Sequence, residues 1–185
     1  MALLNSDPVQ AGFKAPDFCL KGVDGREYTL ASFQSKKVLV VMFICNHCPY
    51  VRAVEDRLIA LEREFSGRDV QLAGICSNDA AGYPDDSAEN LKARWLAKDY
   101  RFPYLVDESQ QAAKAYGAVC TPDLYVFDAG RRLAYRGRLD DNWQEPSKVS
   151  RRELAAAIEA LLKGSAPAKE QQPSMGCSIK WKAKS

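Results

Sequence analysis

Seven consecutive apolar residues, Val38 to Ile44, run straight into Cys45-Asn46-His47-Cys48. An unbroken apolar run of this length suits a strand buried on both faces. Such a strand needs cover on two sides, which helices in an α/β arrangement supply. Two cysteines separated by two residues at its end are placed for reversible thiol–disulfide chemistry.

The flanking segments build on that strand. Phe18, Leu20, Tyr28 and Leu30 alternate around Asp24-Gly25 and predict a short β-hairpin. Pro49 suits an early helical position, and Val51, Val54, Leu58, Leu61 and Phe65 then step by three and four as one apolar helical stripe. A second strand spans Val70–Cys76. Asp86 with Glu89 is positioned to open the next helix, which carries Leu91, Trp95 and Leu96. A strand over Phe102–Val106 leads into a helix ending at Tyr116, with Asp107 and Gln110 as a capping pair and Gly117 as the stop signal. Strands follow at Leu124–Phe127 and Leu133–Gly137. Ser150 and Glu153 form the capping box of a last helix lined by Leu154, Ile158, Leu161 and Leu162. The expected fold is an α/β sandwich with a mixed central sheet, an N-terminal β-hairpin and a helical insertion. Residues 1–15 read as a poorly ordered arm, 16–163 as the domain, and 164–185 as a flexible linker and a cysteine-containing tail.

Composition narrows the function classes. The chain has 185 residues and a net charge of +2 from 26 basic and 24 acidic side chains. It needs no disulfide staples, and its charge balance makes no case for nucleic acid or a membrane surface as a partner. The N-terminus lacks the pattern of a secretory signal, so a cytoplasmic location is expected. Six cysteines in a reducing compartment are then expected to be catalytic, metal-binding or buried, rather than structural disulfides.

A thiolate is the species that attacks a disulfide, so function depends on lowering a cysteine pKa. Cys45 lies where strand gives way to helix, and is expected to face the positive end of the helix dipole as the nucleophile. Cys48, one turn further on, is expected to resolve the mixed disulfide. His47, the single histidine, lies between them; an imidazolium there stabilises thiolate and makes the pair more oxidising. No organic cofactor is required. A Cu(I) or zinc carrier using Cys45, His47 and Cys48 is the alternative from another class, although zinc usually wants a second ligand pair.

The strand ending in CNHC and the later Thr121-Pro122 leading into LYVFD resemble the thioredoxin superfamily. APDFCLKGVDGREYTLASF is similar to the opening of its alkyl hydroperoxide reductase/thiol-specific antioxidant and TlpA/ResA-like branch. The resemblance covers about residues 15–163 and implies a thioredoxin-like fold and a thiol–disulfide oxidoreductase acting on protein or small-molecule disulfides with an external thiol donor. It also implies that Pro122 is a cis-proline, with Thr121 beside the sulfurs offering backbone bonds to a bound peptide. Two features depart from the pattern. Leu39 stands where thioredoxins carry a buried Asp, which leaves Glu55 and Asp79 as candidate proton acceptors for Cys48. The Pro-x-x-x-Thr-x-x-Cys signature of peroxiredoxins is broken in either register, by Val41 and Cys45 counted from Cys48, or by Val38 and Met42 counted from Cys45. A peroxidase with Cys45 or Cys48 peroxidatic and Cys120 or Cys177 resolving is therefore the weaker alternative.

Of the remaining cysteines, Cys19 and Cys76 read as packing residues. Cys120 precedes Thr121-Pro122, and Cys177 follows a tether of 14 residues with a span of roughly 20 Å. These two are candidate auxiliary thiols, paired with each other or relaying electrons from Cys48. Arg131, Arg132, Arg136 and Arg138 read as a solvated strand face, Asp140-Asp141 as a loop, and Trp95 and Trp143 as core residues.

Overall fold

The computed structural model describes residues 3–7 and 12–183. Its strands, in chain order, are β1 (Leu3–Asn5), β2 (Cys19–Gly22), β3 (Glu27–Thr29), β4 (Val38–Phe43), β5 (Val70–Cys76), β6 (Tyr104–Val106), β7 (Cys120–Thr121), β8 (Asp123–Phe127), β9 (Leu133–Gly137) and β10 (Met175–Ser178). The helices are α1 (Pro49–Phe65), α2 (Ala88–Ala97), α3 (Gln111–Tyr116) and α4 (Glu153–Leu162). Seven strands form a mixed sheet in the order β3-β2-β6-β5-β4-β8-β9. β4 lies inside it, parallel to β5 and antiparallel to β8.

Every residue of β4 is buried, and the pleat sends its side chains alternately to two cores. Val38, Val40 and Met42 join the layer that contains α1 and α4, while Leu39, Val41 and Phe43 join Phe18, Phe33 and Tyr116 on the other face. Burying a side chain of this size contributes roughly 1.5–3 kcal/mol, so β4 anchors both layers. The parallel connections β4-α1-β5 and β5-α2-β6 bring the ends of β4 and β5 to one rim of the sheet, where α/β proteins place their sites. The hairpin β2-β3, the buried strands and α1 all stand where the apolar pattern puts them. Gly117 ends α3 at φ 65°, a left-handed conformation that glycine adopts without a steric cost.

Several expectations give way. Leu3–Asn5, within the expected arm, is a strand, and Lys14 bridges to Arg132; residues 8–11 of that arm lie outside the described residues. The segment expected as a flexible tail is docked. β10 lies between β1 and β7 in a second, three-stranded sheet, and Gln171 binds the backbone of β9 before Ser174 is buried against Ser6 and Gly137. Neither proposed capping box forms. Ser150 bonds Asp141 instead of α4, and Glu153 takes Arg138. Gln110 turns at φ 61° and sends its amide to Ser77 and Lys180.

The arginines are not all solvated. Arg136 is buried against Asp123 at 2.8 Å and lies over the Tyr125 ring, because β9 borders the packed β8 on that face. Asp140 is likewise buried and holds Arg57. Trp95 packs on the core and bonds the Phe102 carbonyl, and Trp143 packs at a tilt against Tyr50. Cys19 is exposed, because β2 lies toward the sheet edge and turns that side chain outward, whereas Cys76 is buried.

Candidate active site

β4 ends at Phe43, and Cys45 lies in the four-residue loop between it and Cys48, the N-cap of α1. Pro49 at the first helical position needs no hydrogen bond for its missing N–H, so the helix begins one residue after Cys48. Cys48, rather than Cys45, therefore occupies the residue that caps the helix. The two sulfurs meet a third element at Thr121, whose peptide bond to Pro122 is cis. Thr121 Oγ1 is 3.4 Å from Cys45 Sγ, and Cys48 Sγ lies 3.1 Å from the Thr121 carbonyl, to which it donates in its protonated form.

The proton balance of the pair follows from these contacts. A hydrogen bond from Cys45 lowers Cys48 most, against the cost of burial; Thr121 and the backbone N–H groups of Val51 and Cys177 lower it further, to about 5. Cys45 moves the opposite way, because it gives that hydrogen bond to Cys48, is buried, and faces the negative charge of Asp86. The reduced pair thus holds one proton between two sulfurs, with the thiolate on Cys48 at the helix N-terminus.

Asp86 is the residue that sequence reasoning missed. It does not open α2; Ser87 does, by accepting the Asn90 N–H. The Asp86 carboxylate instead turns into the site, where Oδ1 accepts the backbone N–H of Asn46 at 2.7 Å and of His47 at 3.3 Å. Its Oδ2 lies 2.5 Å from His47 Nδ1 and accepts Asn78 Nδ2 at 2.8 Å. The imidazole also stacks on Tyr83, centroids 4.9 Å apart, while its Nδ1 is 3.8 Å from Cys45 Sγ. Any positive charge on His47 is therefore answered by Asp86 before it reaches the sulfur. The one available signal was position: Asn78 and Asp86 belong to the polar loop after β5, at the same rim as the cysteines.

The expected proton acceptors lie elsewhere. Glu55 is buried and gives both oxygens to Arg94 at 2.6 Å, with Tyr100 and Lys98 beside it. Asp79 caps its own loop through the Ala81 N–H. The metal reading also changes. Among the described residues, the atoms close enough to share an ion belong to Cys45, His47 and Asp86, without Cys48. Ligands at about 2.0–2.1 Å around a tetrahedral ion stand about 3.3 Å apart; the 2.5 Å between His47 and Asp86 is instead a hydrogen bond.

The edge of β7 is occupied. β10 pairs with it antiparallel, Cys177 opposite Thr121 and Ser178 opposite Cys120, so the backbone expected to receive a peptide is bonded to the chain's own tail. Cys120 is buried, and its thiol is pushed up by that burial. Because alternate residues of a strand point to opposite faces, Cys120 and Cys177 do not face one another. Beside Pro122, a cavity of about 210 Å³ is bordered by Tyr50, Val54, Trp143, Met175 and Arg138.

The family model described as the AhpC/TSA family matches residues 11–136. The crystal structure of an uncharacterized conserved protein from Geobacillus kaustophilus superposes with a TM-score of 0.94 at 43% identity, covering 100% of this chain and 99% of that one. The thioredoxin-like protein YneN of Bacillus subtilis (strain 168) is 28% identical over 120 residues, 65% of this chain and 66% of its own length. The thiol-disulfide oxidoreductase ResA of Geobacillus thermodenitrificans (strain NG80-2) is 24% identical over 127 residues, 68% of this chain and 67% of its own. The chain thus spans about two thirds of the length of these curated relatives.

Proposed function

Because the chain belongs to the AhpC/TSA family, a branch of the thioredoxin superfamily, we propose that it exchanges thiols and disulfides through Cys45 and Cys48. One observation carries this reading: Thr121, at the cis bond, touches both sulfurs at 3.4 and 3.1 Å. A residue that contacts both sulfurs can hold them through the making and breaking of a bond between them.

In this mechanism Cys45 meets the substrate disulfide, since it is bordered by His47, which stacks on the half-exposed Tyr83, whereas α1 and β10 close over Cys48. The Cys45 proton passes to the Cys48 sulfur along their hydrogen bond as Cys45 attacks, and one half of the substrate leaves as a thiolate. Cys48 passes that proton to the departing thiolate, attacks Cys45, releases the second half as a thiolate and leaves the Cys45–Cys48 disulfide. An external thiol donor returns the pair to the dithiol. No organic cofactor enters, and a reducing, cytoplasmic setting suits a pair kept in that form.

Incubation of the Cys48→Ser protein with an aromatic disulfide is expected to trap a stable mixed disulfide on Cys45, while Cys45→Ser yields none. A stable adduct only in Cys45→Ser reverses the roles, and no adduct in either ends this reading. A peroxidase reading is favoured by one feature, the lowered thiol of Cys48 at the cap of α1. Peroxide consumption by Cys45→Ser, with a dithiol as reductant, would support it.

A further inference from the structure

The tail is built into the site more closely than a cover requires. β10 places Cys177 opposite Thr121, so both residues point to the same face of the small sheet, the face where the Thr121 hydroxyl meets Cys45. Cys177 is buried in the same apolar cluster as Cys45, Cys48, Val51 and Val54. It engages Cys48 twice, through its thiol and through its backbone N–H. Gly176 permits the approach, since a Cβ at that position would overlap the Thr121 carbonyl. The strand is also clamped on both sides. Upstream, Met175 pairs with Asn5 and Ser174 bonds Ser6. Downstream, Ile179 bonds Val119, and Lys180 takes the side chain of Asn78, which itself holds Asp86.

We infer that Cys177 is a third redox cysteine, which takes the disulfide from Cys45 and leaves the oxidised chain closed by a Cys48–Cys177 bond. The inference rests on the proposed chemistry of Cys45 and Cys48 and adds a step after it. In that step Cys177 gives up its proton, and its thiolate attacks the Cys48 sulfur of the Cys45–Cys48 disulfide. The Cys45–Cys48 bond breaks as the Cys48–Cys177 bond forms. Cys45 departs with the electron pair and recovers a proton. One disulfide replaces another, so no further oxidant or reductant is consumed.

The surroundings give this exchange an order. In the reduced chain, burial, the hydrogen bond to Cys48 and the charge on that sulfur hold the Cys177 thiol up at about 11, with Lys180 opposing them. Once Cys48 is in a disulfide it carries no charge, and that part of the barrier to ionising Cys177 disappears. Cys177 is thereby released for attack by the oxidation of its neighbour. Cys120 takes no part, since it lies on the opposite face of the pairing and its thiol points to the Pro122 carbonyl.

Tryptic mapping of the full chain separates the species. Cys45 and Cys48 share the peptide between Lys37 and Arg52, whereas Cys177 lies in the peptide ending at Lys180. The reduced protein is oxidised with excess glutathione disulfide, quenched in acid, alkylated and digested without reductant. The expected major product is a cross-link between those two peptides, with Cys45 alkylated. Cys177→Ser and Cys177→Ala are both expected to lose the cross-link and accumulate the Cys45–Cys48 form, while Cys120→Ser keeps it. If the wild-type chain stops at Cys45–Cys48 with Cys177 alkylated, the third-cysteine step is overturned and the proposed function stands. If Cys45 and Cys48 form no disulfide in either protein, the proposed function falls and takes the step with it.

Discussion

Four hydrogen bonds converge on Asp86, a buried carboxylate 38 residues along the chain from the second cysteine. It shapes the CNHC loop through the backbone of Asn46 and His47, and its charge opposes ionisation of Cys45. Asp86→Asn keeps the volume but presents an amide to Asn78 and His47. A loss of about 1.5–3 kcal/mol in urea unfolding is expected, the range for a hydrogen bond to a charged group. The same change should lower the Cys45 pKa, read as faster alkylation of Cys45 at neutral pH. For Cys48 the sign is opposite. Its thiol is lowered from 9.0 to about 5, so the ultraviolet absorbance of thiolate in the reduced protein should persist above that pH. It should disappear as pH falls through about 5, and Cys48→Ser should abolish this transition. The cysteine pair could be read from residue types and order, and the cis Thr121-Pro122 bond followed from the resemblance to the thioredoxin superfamily. The acid beside them could not, because an Asp ahead of a helix is ordinarily a capping signal, and only the folded loop shows Ser87 in that role.

At the scale of elements, β10 is the unexpected part. A segment rich in Pro, Lys, Gln and Ser has too little apolar surface to look like a strand, and Met175–Ser178 is short. It is ordered by its neighbours: β7 and β1 satisfy its backbone, and Gly176 lets it come close to Thr121. Gly176→Val should therefore lift β10 from β7 while the seven-stranded sheet survives. The measurement is maleimide labelling of the native protein, with Cys177 and Cys48 expected to react many-fold faster than in the parent chain; unchanged labelling would contradict this packing. The strands and helices of the larger sheet were legible because their burial follows period 2 or 3.6. Capping was less so, since Ser150 and Glu153 found better partners in Asp141 and Arg138.

Across the whole molecule, the Arg136–Asp123 pair joins β9 to β8, and Arg136 also bonds the Gly117 carbonyl at the end of α3. Removing one partner of such a buried pair leaves a charge uncompensated, so Arg136→Met should cost about 3–5 kcal/mol in urea unfolding. Pairing it with Asp123→Leu should recover much of that loss. The overall layering follows from a single strand that must be covered twice, and this is why it could be anticipated from Val38–Ile44. The small second sheet could not, because it joins segments near opposite ends of the chain whose pairing no local pattern encodes. That closure has a consequence for biosynthesis. Strands β2 to β9 emerge from the ribosome before β10 does, and domains begin to fold during synthesis. A nascent chain would thus carry its reactive sulfurs open until residues 175–178 clear the exit tunnel, a brief interval in which a passing thiol or oxidant could reach Cys48 before the tail does.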